Sequence, residues 1–171
     1  MGLSSGLTIA CEPRSGSVVE LYFANKDDVT SFTYSAGKYT AVIMVTGKLF
    51  YKFEFEEFTA ERREDGSRVN GSTLYKHAIE FLIPKPTSIN RDAVQALMDA
   101  SCCGVICISK DGNGLKWVTG YSENFKNQMA LKVQSDATKS GKNFTDMNAS
   151  TIILNNEDTT KDVEFTGSIP V

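Results

Sequence analysis

The sequence predicts a mainly β protein, an antiparallel β-sandwich or barrel with one flanking α-helix and a long projecting β-hairpin. Three observations predict it. Runs of β-branched and aromatic residues alternate with polar ones at period two, most cleanly in Tyr51–Glu56 and Tyr75–Ile83. Gly, Asn and Asp cluster between those runs as turn signals. Helical spacing of apolar residues occurs over 90–101 alone.

Residues 1–16 are rich in Gly and Ser, include Pro13, and read as a flexible N-terminal arm; 17–171 reads as a single β-barrel-like domain. Val18–Phe23 is a strand, Asn25–Asp28 a polar turn, and Val29–Tyr34 a short second strand. Tyr39–Val45 is apolar on both faces and reads as a central, fully covered strand. The long hairpin is expected over 48–83. Its limbs are Tyr51-Phe53-Phe55 against Lys52-Glu54-Glu56, and Tyr75-His77-Ile79-Phe81-Ile83 against Lys76 and Glu80. Its charged tip, Glu61–Arg68, turns at Asp65-Gly66. The alternation slips by one residue at Glu56-Glu57-Phe58, which a β-bulge would absorb.

Pro84 and Pro86 end the hairpin, because proline cannot donate to a ladder. Ser88 or Asn90 caps the helix over 90–101, whose stripe is Ile89, Ala93, Leu97 and Ala100 beside Val94 and Met98; Gly104 suits its C-terminal cap. Val105–Ser109 is a buried strand, Asp111–Gly114 a tight turn, and Leu115–Thr119 its partner. Phe125–Gln134 alternates again, Thr138–Met147 is a polar loop, and Thr151–Leu154 and Val163–Phe165 are the last strands. Roughly nine strands joined by short turns make up the expected domain.

Composition narrows the function classes. The 171 residues carry a net charge of −3, with 41% hydrophobic and 23% charged side chains, which disfavours a general nucleic-acid binder. No apolar run approaches the ~20 residues of a membrane span, so no membrane partner is expected. Met1–Gly6 has neither a basic start nor an apolar core, so no secretory signal is expected and a cytoplasmic setting is. Cys102, Cys103 and Cys107 crowd one apolar stretch without zinc-ligand spacing, and read as buried reduced thiols. His77, alone of its type, sits on an apolar face with no acid or nucleophile near it in sequence, and reads as a packed core histidine. Ser140-Gly141-Lys142 lacks the upstream glycine of a P-loop. Trp117 reads as core. No catalytic, metal or cofactor-binding residue is expected, and the protein is not expected to be an enzyme.

The Lys48–Ile83 hairpin, the Asn90–Ser101 helix and the polar-looped C-terminal part with Ser140–Asp146 together resemble the small tail-tube proteins of bacteriophages and the inner tubes of contractile injection machines. The resemblance is one of element order and size and covers most of the chain. It implies a virion structural protein assembled in the host cytoplasm. Its subunits would close into hexameric rings and stack into a conduit for DNA, passing it without specific binding. It implies lumen-facing Lys52, Glu54, Glu56, Lys76 and Glu80, with Arg62, Arg63, Glu64, Asp65 and Arg68 at contacts between subunits. The net acidic lumen is expected to keep DNA from sticking. The same outline serves a tail terminator, a head–tail adaptor or a capsid decoration protein, and a monomeric ligand-binding β-barrel is the alternative from another class.

Overall fold

A computed structural model of the chain describes residues 14–171 together with Gly6, Leu7, Ile9, Cys11 and Glu12. Residues 1–5, 8, 10 and 13 lie outside the described residues, and the flexible arm expected over 1–16 falls partly on them. The end of that segment is fastened: Asn113 bonds both the Ser15 N–H (2.9 Å) and the Ser15 carbonyl (3.0 Å).

The protein is mainly β, with one α-helix and two sheets among the described residues. Strands β1 (Val18–Asn25), β2 (Val29–Ser35), β3 (Lys38–Met44) and β4 (Tyr51–Phe53) are followed by β5 (Glu61–Val69) and β6 (Ser72–Pro84). Then come α1 (Ser88–Cys103), β7 (Val105–Asp111), β8 (Lys116–Thr119), β9 (Lys132–Lys139), β10 (Ala149–Asp158) and β11 (Val163–Phe165). Seven strands pair in the order β2-β3-β11-β8-β7-β1-β4 and four in the order β5-β6-β10-β9. The sheets stay open, so the sandwich alternative is the one the chain adopts, not a closed barrel.

The hairpin differs from the one expected over 48–83. Its first limb, Tyr51–Phe53, leaves to pair with β1 in the other sheet, Lys52 opposite Tyr22. The alternation there is real, since Phe53 and Phe55 pack on the core while Lys52, Glu54 and Glu56 are exposed. Alternation specifies a face and leaves the partner strand open. The true partner of β6 is the charged stretch itself. Glu61 pairs with Glu80, Glu64 with His77, and Val69 with Ser72. The turn is Asn70-Gly71 with φ of 50° and 83°, the two positive values a type I′ turn requires. Gly66, the expected turn residue, is mid-strand opposite Tyr75, where an added Cβ would lie 2.7 Å from Tyr75 Cε1. Its missing side chain makes room for that ring. Where the bulge was expected at 56–58 the chain crosses between sheets, with Phe58 at φ 60°.

Two cores lie on opposite faces of β7. Val105 and Cys107 join Leu21, Phe23, Phe81, Ile152, Leu154 and the helix residue Leu97 in one. Ile106 and Ile108 join Phe32, Tyr39, Val118 and Phe165 in the other. The strand covered on both faces is therefore β7. β3, expected to be central, lies next to the edge strand β2 and leaves Ile43 50% exposed. Phe125–Gln134, expected to be a strand, is mostly turns, with β9 beginning at Lys132.

Thr87 caps α1, accepting from the Asn90 N–H at 3.3 Å, and Gly104 ends it at φ 115°. The buried helix residues are Val94, Leu97 and Ser101, whereas Ile89 and Met98 are exposed. Cys107 is buried, but Cys102 and Cys103 are exposed at the helix end, against the expectation of three buried thiols.

Candidate functional site

The four-stranded sheet carries most of the expected functional residues. Successive side chains leave opposite faces, so β5 divides its charges. Arg63 and Asp65 share the outer face with Lys76 and Glu80, while Arg62 and Glu64 point inward with His77. Arg63 lies 3.2 Å from Glu80 and 3.6 Å from Glu61, and Lys76 lies 3.4 Å from Glu157 of β10. This outer face is thus polar, mixed in sign and laced with exposed ion pairs. The expected lumen set does not stay together. Lys76 and Glu80 are on this face, Lys52 belongs to β4 of the other sheet, and Glu54 and Glu56 lie in the crossing between sheets. Arg68 sits on the part of the hairpin beyond Tyr75, where β10 no longer pairs with β6. That part extends about 10 Å, at ~3.3 Å per residue over three residues.

Both outer strands of this sheet are open: among the described residues β5 pairs with β6 alone and β9 with β10 alone. Two edges of nine and eight residues present unpaired backbone groups.

Beneath the hairpin lies a cluster that sequence reasoning missed. Asp162, just before β11, takes the Arg62 guanidinium at 2.9 Å and the Thr119 hydroxyl at 2.7 Å. Glu64 accepts the Asp162 N–H at 2.7 Å. His77 Nδ1 stands 3.1 Å from Asp162 and 3.6 Å from Glu64, and its Nε2 is 3.2 Å from the Thr160 carbonyl. Trp117, expected in the core, is only partly buried and stacks under Arg62, 4.8 Å from ring centre to guanidinium. Burial alone would push the His77 imidazole down; Asp162, Glu64 and the Thr160 carbonyl outweigh it and hold the imidazole above its ordinary value. His77 is core, as expected, yet it has acids beside it. Nothing local signals them, because the His77–Asp162 contact joins residues far apart in the chain.

Glu64, His77 and Asp162 offer donor atoms within 4.8 Å of one another, enough to share a cation. Arg62 already supplies positive charge between the carboxylates, 3.9 Å from Glu64 as well as 2.9 Å from Asp162. The arrangement is a clamp between the sheets made of two carboxylates, one guanidinium and one imidazole. The Thr119 hydroxyl touches it and donates to Asp162.

Among the described residues no helix is long and apolar enough to cross a membrane. The chain matches no protein-family model, and no curated protein or solved structure gives a significant match.

Proposed function

We propose that the protein is a structural protomer that closes into rings by pairing the four-stranded sheets of neighbouring copies edge to edge, in the manner of a bacteriophage tail tube. The observation that carries this reading is the four-stranded sheet with two open edges, one apolar face on the core and one polar face outward. Its strands alternate in direction and are even in number, β5-β6-β10-β9. Rotating the sheet about a central axis therefore sets β5 of one copy antiparallel to β9 of the next at every seam. Such a head-to-tail contact closes a ring and removes both edges. The polar face then lines the channel, and its mixed charge offers passing DNA no basic track. Six copies to a ring, stacking of rings and a place in a virion follow the resemblance to tail tubes.

Light scattering over a concentration series, with electron microscopy of the same samples, tests the reading: rings or tubes are expected as concentration rises. Ser135→Pro and Asp136→Pro place proline at two successive positions of β9, and one of them removes an outward N–H. That variant should remain a folded monomer by circular dichroism and fail to assemble. If both variants fold and still form rings, the seam is not at β9. A stable monomer at every concentration favours the second reading, a small-ligand binder using the apolar groove between α1 and β4 lined by Phe23, Phe53, Leu97 and Val105.

A further inference from the structure

The surroundings of His77 fix its protonation. A carbonyl only accepts, so the Nε2 that faces the Thr160 oxygen at 3.2 Å carries a hydrogen. Nδ1 then faces Asp162 Oδ1 at 3.1 Å and Glu64 Oε2 at 3.6 Å. Ionised carboxylates have no hydrogen to give. With a neutral ring, the Nδ1 lone pair would therefore meet two anions at a side chain that is 2% exposed. Buried acceptors set against one another are costly. A proton on Nδ1 removes the conflict. Asp162 Oδ1 lies off the Nδ1–H line, so the contact is an ion pair more than a directed hydrogen bond. The imidazolium and Arg62 then balance Asp162 and Glu64.

The four groups also span the molecule's division. Arg62 and Glu64 stand on β5 and His77 on β6, in the four-stranded sheet; Asp162 leads into β11 and bonds Thr119 of β8, in the other. We infer that the proton on His77 latches the base of the hairpin to the seven-stranded sheet, and that its loss loosens the hairpin and, with it, the edge strand β5. The remaining titratable groups around the ring are Tyr75 on β6, Cys107 on β7, Asp158 on β10 and Lys161 before Asp162. Tyr75 lies 6.5 Å from His77 between ring centres and has Lys161 5.9 Å over its own ring. Burial keeps the Cys107 thiol neutral. Asp158 accepts from the Thr159 N–H at 2.6 Å.

A histidine that holds its proton more tightly in the folded chain stabilises the fold fully below its ordinary value of about 6.5, and that stability is lost as pH rises through the folded midpoint. The latch itself is a property of one copy; only its effect on ring closure rests on the assembly reading.

His77 is the chain's single histidine, so proton NMR of the full chain from about pH 5 to about pH 10 follows one imidazole. Its midpoint should lie above about 6.5, each unit of rise meaning about tenfold tighter proton binding by the folded chain. Asp162→Asn should lower it, and the urea midpoint of unfolding should fall across the same pH window. His77→Gln should remove that pH dependence; where this variant does not fold, the titration of the natural chain decides alone. A midpoint below about 6.5 overturns the inference. So does zinc chloride alone, at neutral pH, shifting the ring resonances and raising the melting temperature, since the cluster would then be a metal site. If the latch titrates as expected and no rings form at any pH, the latch stands and the assembly reading fails.

Discussion

Arg62 and Arg63 are neighbours in sequence and occupy opposite environments. The Arg62 side chain is 22% exposed, ion-paired to an Asp162 that is 4% exposed, and stacked on Trp117. Arg63 is 47% exposed and meets Glu61 and Glu80 at the surface. Removing one partner of a buried pair leaves the other charge uncompensated, whereas an exposed pair is screened by water. Arg62→Ala is expected to destabilise the fold by about 3 kcal/mol, and Arg63→Ala by less than about 0.5 kcal/mol. Urea unfolding of the two variants measures the contrast, and equal effects would mean that the inward–outward division of β5 is wrong. Phe81 is fully buried between Phe23, Phe53 and Phe55, so Phe81→Ala should cost about 4 kcal/mol on the same scale.

At the scale of elements, the hairpin depends on Asn70-Gly71. Gly71 sits at φ 83°, where an added Cβ meets nothing in space and only the backbone conformation resists it. Gly71→Ala is therefore expected to cost about 1 kcal/mol through strain alone. Gly66→Ala acts differently, by pushing the Tyr75 ring off the strand, and should change the near-ultraviolet dichroism as well as stability. β6 is the longest strand, with 13 residues, and β10 covers it from Pro84 only as far as Tyr75. The unpaired end and the open edge of β5 are thus one continuous surface, which is why the proposed seam and the His77 latch concern the same strand.

For the whole molecule, the division of labour between the sheets bears on assembly. The seven-stranded sheet is covered on both faces at β7 and packs two cores. The four-stranded sheet has one face on the core and one outward, and among the described residues neither of its edge strands has a second strand partner. A ring built through the four-stranded sheet would leave the seven-stranded one outside. If the outward face lines a channel as proposed, Glu80→Lys with Glu157→Lys should add a basic track to its mixed charges, slowing DNA passage without altering ring formation. Delivery unchanged in the double variant would remove the channel face from the account of DNA passage.

Much of the local structure was legible in the sequence. Period-two alternation marks Tyr75–Ile83 as a strand, β-rich composition marks Val18–Phe23 and an apolar run marks Val105–Ser109, Asp111–Gly114 marks the β7–β8 turn, and the stripe through Val94 and Leu97 marks the helix that Gly104 ends. These are decided within a few residues by side-chain direction and backbone preference. Asn70-Gly71 was equally local, but the charges of Glu61–Arg68 resemble a solvated loop, because four of the six are exposed and only Arg62 and Glu64 find partners far along the chain. What tertiary structure alone decided is pairing across distance. It took Tyr51–Phe53 to β1, placed β7 between two cores, and brought Asp162 against His77 and Arg62. A strand's own residues specify which face is apolar. Which strand lies beside it, and which charge meets a buried histidine, depends on how the two sheets bury their faces together.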